Sequence, residues 1–139
     1  MKPATGLVVD HSVLVSIALG GRAAVMVDAA RTTLTTIVVP TSALATALLH
    51  DDVQAALPAQ NTLFELLRWE QCVSDDLTIA TAAKLSSRLF GDDLHEIRGT
   101  AAALAVGHTA AAAAARGLDL VTCRADLWQW YAETGVYVL

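Results

Sequence analysis

Short apolar runs alternate with segments of helical spacing along the chain. The clearest runs are GLVVD at 6–10, TIVVP at 36–40 and LDLVT at 118–122, all rich in β-branched or other apolar residues. Strands without polar alternation are typical of a parallel sheet that helices cover on both faces. The sequence therefore predicts an α/β fold, a three-layer α/β/α sandwich with a mainly parallel central sheet.

Composition favours a single compact domain over residues 1–139. The 139 residues are 55% hydrophobic and 17% charged, which excludes a disordered chain. The formal net charge of -5 opposes a polyanion, so it excludes a strongly basic nucleic-acid-binding protein. Cys72 and Cys123 lie far apart and match no metal-ligand spacing, which indicates a reducing compartment and no disulfide framework.

Two hydrophobic stretches resemble export or membrane segments, but neither has the unbroken apolar run or the length that such a segment needs. Asp10 and His11 interrupt the first, where a signal peptide needs an unbroken apolar run. The second, between Arg98 and Arg116, is mostly alanine and would span about 26 Å as a helix, less than the ~30 Å hydrocarbon core. We therefore expect a cytoplasmic protein without a membrane segment.

The remaining segments predict the other elements. Ser12 is the predicted N-cap of a first helix that ends at Gly20 and Gly21. Pro58 and Asn61 predict a turn. The other predicted elements are helices over 22–34, 41–52, 63–69, 77–91 (capped by Asp75 or Asp76), 96–116 and 125–133, and strands at 71–74 and 136–139.

Polar side chains stand at the carboxyl ends of two predicted strands. Asp10 ends the first strand and Thr122 ends the strand LDLVT. Parallel sheets bind their ligands beyond these ends. A buried carboxylate is costly unless it is paired, so Asp10 is either a metal ligand or a structural group that caps the next helix or pairs with Arg124.

The order of four segments resembles the PIN-domain family, which includes the ribonuclease toxins of bacterial VapBC toxin–antitoxin pairs. The segments are LVVDHSVLV, VVPTSALATALL, LTIATAAKLSSRL and AVGHTAAAAAARGLDLVT, and together they span nearly the whole chain. The resemblance implies a PIN-like fold and cleavage of single-stranded RNA by Mg²⁺ or Mn²⁺, held by three or four carboxylates at the strand ends. It also implies pairing with a second copy or with an antitoxin.

The family pattern places its first acid on Asp10 and the following serine on Ser12. Its three other acid positions fall on Thr46, Val106 and Arg124, which carry no carboxylate. A hard divalent cation takes several oxygen ligands. We therefore expect weak or absent Mg²⁺ or Mn²⁺ binding, and a binding module with most catalytic carboxylates lost, whose partner is an antitoxin-like protein, a second copy or RNA.

The alternative is an active Mg²⁺- or Mn²⁺-dependent endoribonuclease that uses Asp10 with displaced acids. Asp126, two residues past the fourth acid position, is the best such acid, and Glu96 is a more distant candidate. His108, two residues past Val106, is either a metal ligand or general base, or a satisfied core residue. A small-ligand pocket is a third hypothesis, although no glycine-rich phosphate loop is present.

Three aromatic residues follow closely after Asp126 in the sequence. Trp128, Trp130 and Tyr131 could stack RNA bases, but stacking platforms usually accompany a basic groove. Because acidic residues stand beside them, we expect core or dimer packing instead.

Overall fold

The computed structural model describes residues 6–78 and 101–139, in which five parallel strands form one sheet. The order across the sheet is β3-β2-β1-β4-β5. The strands are β1 Gly6–Val9, β2 Thr36–Pro40, β3 Cys72–Asp75, β4 Asp119–Thr122 and β5 Val136–Val138. The predicted α/β/α sandwich is confirmed, and its sheet is parallel throughout these strands.

Helices cover both faces of this sheet. They are α1 His11–Ala18, α2 Arg22–Thr32, α3 Thr41–Leu48, α4 Asp51–Gln54, α5 Leu57–Leu66 and α6 Ala101–Arg116, followed by a 3₁₀ turn at Ala125–Leu127. Successive side chains of a strand point to opposite faces. In β1, Val8 accordingly packs in the apolar cluster of α6, whereas Val9 packs in the cluster of α1, α2 and α5.

The strand order places a crevice next to β1. From β1 the chain crosses to β2 on one side, and β4 later pairs with β1 on the other side. Such a reversal is where parallel sheets bind ligands beyond their carboxyl ends. Since Val9 is aligned with Val121, Asp10 and Thr122 emerge side by side at this edge.

Three local predictions are wrong. The N-cap of α1 is Asp10 and not Ser12, because the Asp10 side chain accepts the N–H of Val13. Pro58 lies in the first turn of α5, where a missing N–H costs no helical hydrogen bond, so no turn forms at Asn61. The predicted last helix is only the 3₁₀ turn at Ala125–Leu127.

Alanine and valine form the buried faces of α2 and α3. In α2 the buried residues are Ala23, Val27 and Ala30, whereas Val25 is 72% exposed. In α3 the chain buries Ala43 and Ala47. Small residues face inward in both helices because a short side chain lets a helix backbone approach its neighbour closely.

Two predictions fall wholly or partly on residues 79–100, which lie outside the described residues. They are the helix that ends at Gly91 and the start of the long helix at Glu96. Asp75, one of the two residues predicted to cap the former, is the last residue of β3.

Within residues 6–78 and 101–139, no single helix has the length and apolar character needed to cross a membrane. The pair α1 and α2 meets that test only when joined, and the two are bent by 94°.

Gly117 ends α6 with a φ of 62°, a left-handed conformation that disfavours a side chain. A Cβ added there would meet no described atom within 4 Å, so only the left-handed backbone conformation disfavours a side chain at this position. We expect Gly117→Ala to lower the free energy of unfolding by about 1 kcal/mol, and Gly117→Asn by less because asparagine tolerates this conformation. Urea unfolding measures both variants, and equal stability of Gly117→Ala and wild type would contradict the prediction.

Candidate functional site

The Asp10 carboxylate is the centre of the site at the carboxyl ends of β1 and β4. It is completely buried and accepts four hydrogen bonds. Oδ1 accepts the hydroxyl of Ser12 at 2.6 Å and the N–H of Val13 at 3.0 Å. Oδ2 accepts the hydroxyl of Thr122 at 2.5 Å and the indole N–H of Trp128 at 2.9 Å. These donors offset the cost of burying a carboxylate.

The hydroxyl groups of Ser12 and Thr122, which both donate to Asp10, also connect the end of β1 to the chain after β4. Ser12 Oγ accepts the backbone N–H of Cys123 at 2.9 Å, and Thr122 Oγ1 accepts that of Arg124 at 2.9 Å. Each hydroxyl therefore donates to the carboxylate and accepts from the backbone. Sequence reasoning placed Asp10, Ser12 and Thr122 at one site, and the structure brings these three side chains together.

Trp128 is a site residue that sequence reasoning assigned only to packing. It is buried, as expected, and its ring stacks on Trp130 and meets Tyr131 edge to face. A buried indole N–H needs an acceptor. That requirement, together with a buried carboxylate that needs donors, is the signal that could have paired Trp128 with Asp10.

The Arg124 guanidinium makes a two-pronged ion pair with Asp126. Its Nε lies 3.0 Å from Oδ1 and one terminal nitrogen lies 2.7 Å from Oδ2. Arg124, one possible partner of Asp10 in the sequence analysis, directs these donors at Asp126. The Asp126 side chain is 61% exposed, and the hydrogen bond from Arg124 holds the pKa of this carboxyl below its usual value.

Thr46 and Val106, the two other acid positions, have separate structural roles. Thr46 donates its hydroxyl to the backbone carbonyl of Ser42, one helical turn earlier, at 2.9 Å. Val106 is completely buried in the apolar cluster that includes Val8 and Val38. Neither position brings an acidic group towards Asp10.

His108 belongs to a second polar cluster, whose other members the sequence analysis did not connect with it. The ring is completely buried; Nδ1 lies 2.6 Å from Ser42 Oγ and Nε2 lies 2.9 Å from Asp75 Oδ2. Arg116 makes an ion pair with the other oxygen of Asp75 at 2.7 Å. Ser42 and Asp75 lie 66 and 33 residues from His108, so no local pattern connects them.

His11 lies beside Asp10 with its Nδ1 buried and without a hydrogen-bond partner among the described residues. Burial lowers the pKa of His11, and the positive charges of Arg124 and His50 lower it further, although the Asp10 carboxylate acts in the opposite direction. The neutral imidazole is therefore the form that the folded protein favours.

Among the described residues, the surroundings of Asp10 offer a magnesium or manganese ion few free oxygen ligands. Such an ion takes several oxygen ligands with free lone pairs. At Asp10 all four donors already occupy the two oxygens, and Thr46, Val106 and Arg124 add no carboxylate. In the described part of the chain, no three His, Cys, Asp or Glu side chains are grouped so as to hold a metal ion.

The four donors on Asp10 predict that replacing Asp10 lowers the free energy of unfolding much more than replacing Asp126. In Asp10→Asn, the amide N–H₂ would face buried donors, so we expect the free energy of unfolding to fall by roughly 2–4 kcal/mol. Asp126→Asn alters only an exposed ion pair and should cost less than about 1 kcal/mol. Urea unfolding followed by tryptophan fluorescence compares them, and a similar cost for both would contradict a structural role for Asp10.

The lowered pKa of His11 predicts a loss of stability in mild acid. As the pH falls below the ordinary value of 6.5, the unfolded chain binds the proton before the folded chain does. The stabilisation by neutral His11 is therefore present above about pH 6.5 and is lost as the pH falls towards its folded-state pKa. We expect His11→Asn to reduce the fall in free energy of unfolding between about pH 7 and pH 5, and an unchanged pH dependence would contradict this.

No protein-family model matches this chain, and no curated protein matches it either.

Proposed function

We propose that this chain is a PIN-like domain that binds a partner protein and does not cleave RNA by metal-ion chemistry. The observation that supports this is the saturation of Asp10 by donors from Ser12, Val13, Thr122 and Trp128. In this proposal the carboxylate that would anchor the catalytic ion stabilises the fold instead.

Ion binding at Asp10 would have to displace these donors. A cation on Oδ2 would require the indole N–H of Trp128 and the hydroxyl of Thr122 to move away. Both groups are buried, so each would lose its acceptor with no water to replace it. Neighbouring carboxylates would have to compensate for this cost, and the resemblance places Thr46, Val106 and Arg124 where they would stand.

Charge favours a protein over RNA as the partner. The net charge of -5 repels a polyanion. Three arginines of the described chain are already engaged: Arg31 lies over the ring of Trp69, Arg116 pairs with Asp75, and Arg124 pairs with Asp126. The resemblance implies two kinds of protein partner, an antitoxin-like protein and a second copy of this chain.

Thermal melting and RNA incubation with divalent cations test the absence of metal-ion chemistry. We expect the melting temperature in millimolar MgCl₂ or MnCl₂ to equal that in EDTA, because an ion without a site in the folded state cannot stabilise it. We also expect single-stranded RNA to remain intact under both conditions. The Asp10→Ala variant serves as the control for contaminating nuclease.

Two outcomes would overturn the proposal. Cleavage that needs Mn²⁺ or Mg²⁺ and disappears in both Asp10→Ala and the stable Asp126→Asn variant would establish the alternative, an endoribonuclease that uses Asp10 with Asp126. Tight RNA binding in fluorescence anisotropy at physiological salt would show that the partner is RNA and not a protein. Light scattering of the purified chain separates the two kinds of protein partner, since a second copy gives a dimer and an antitoxin-like protein leaves a monomer.

A further inference from the structure

Ser42, His108 and Asp75 form a hydrogen-bonded chain near the carboxyl ends of two neighbouring strands. Ser42 is the second residue of α3, directly after β2, and Asp75 is the last residue of β3. His108 enters from the middle of α6. Three separate elements thus contribute one side chain each, at the edge of the sheet where parallel α/β proteins bind their ligands.

The hydrogen bonds determine which ring nitrogen of His108 carries the proton. The backbone N–H of Ser42, which can only donate, is directed at Nδ1 from 3.5 Å. Nδ1 is therefore an acceptor, and the Ser42 hydroxyl at 2.6 Å donates its proton to it. Nε2 carries a hydrogen that it donates to Asp75 at 2.9 Å, because a carboxylate oxygen can only accept.

Asp75 is held in place from its other side. Its second oxygen pairs with the Arg116 guanidinium at 2.7 Å, so both oxygens have a partner on α6. A carboxylate fixed in this way orients the imidazole and stabilises the positive charge that arises when the ring takes a proton. Asp75 is therefore a positioning residue for His108.

The hydrogen-bonded side chains differ in their exposure to solvent. His108 is completely buried, whereas Ser42 is only partly buried. A reagent that arrives from solvent therefore meets the serine and not the imidazole. A hydroxyl that donates to a buried, carboxylate-oriented imidazole has the arrangement of an activated nucleophile.

We propose that Ser42 is a nucleophile, with His108 as its general base, for the hydrolysis of carboxylic esters. Ser42 Oγ bonds to the acyl carbon while its proton passes to His108 Nδ1, and the leaving alcohol departs with that proton. Water then attacks the acyl-serine, gives a proton to Nδ1, and the proton returns to Ser42 Oγ as the acid leaves. This site involves neither Asp10 nor a metal ion, so its test is independent of the function proposed above.

A fluorophosphonate probe tests the nucleophile on the full chain. Ser42 Oγ would form a bond to phosphorus as fluoride leaves, and we expect one label on the folded wild type, located at Ser42 by peptide mass spectrometry. Ser42→Ala should abolish the label, and His108→Gln should slow labelling by ~100-fold or more. Ser16→Ala is the matched control, because Ser16 is also a partly buried helical serine but accepts a backbone N–H from Ala23.

The pH profile separates a positioning role of Asp75 from a merely structural one. Among the described residues, Asp75 bonds directly to His108, and Arg116 pairs with the other oxygen of Asp75. Asp75→Asn removes the charge that stabilises the protonated ring, so the midpoint of the labelling profile should move to lower pH. A profile that stays in place would remove Asp75 from the proposal.

A cysteine in place of Ser42 gives a second readout that needs no acyl pocket. In Ser42→Cys, His108 would accept the thiol proton, so alkylation by iodoacetamide near neutral pH should be fastest at position 42. Burial raises the pKa of Cys72 to about 11 and also raises that of Cys123, so both native thiols serve as slow internal references. No labelling of the folded wild type above Ser42→Ala, together with no preference for position 42 in Ser42→Cys, would overturn the proposal and leave His108 as a satisfied core residue.

Discussion

The buried carboxylate of Asp10 and its four donors hold the centre of this fold together. Asp10 follows the central strand, caps α1, bonds to the last residue of β4 and accepts the indole of Trp128 from the C-terminal part of the chain. An unpaired carboxylate at this depth would cost several kcal/mol. Each element around Asp10 therefore has to lie where its donor reaches a carboxylate oxygen.

The same constraint operates at His108. Its two ring nitrogens need partners in a completely buried position, and Ser42 and Asp75 supply them from the ends of β2 and β3. Burial of a polar ring thus connects α6 to both strands. Asp10 and His108, each with its hydrogen-bond partners, lie along the edge of the sheet where parallel α/β proteins form their binding sites. They lie there because the carboxyl end of each strand places side chains at that edge.

The residues at the acid positions that the PIN-domain resemblance implies each have a role in this chain that a carboxylate would not fulfil. Thr46 donates to the carbonyl of Ser42, Val106 fills the apolar cluster next to the sheet, and Arg124 pairs with Asp126. These positions come from counting along the sequence. The partners of Thr46 and Arg124 lie within four residues along the chain, whereas Val106 packs against Val8 and Val38 of the sheet.

The sequence by itself determined the alternation of strands and helices, the glycine at the end of α6 and the presence of a costly carboxylate at Asp10. These features depend on neighbours within a few residues, where β-branching, capping and left-handed glycine act directly. Only the tertiary structure decided that Trp128 bonds to Asp10 across 118 residues and that Ser42 and Asp75 enclose His108. Such pairings follow from strand order and register, which bring distant residues together only after the sheet has formed.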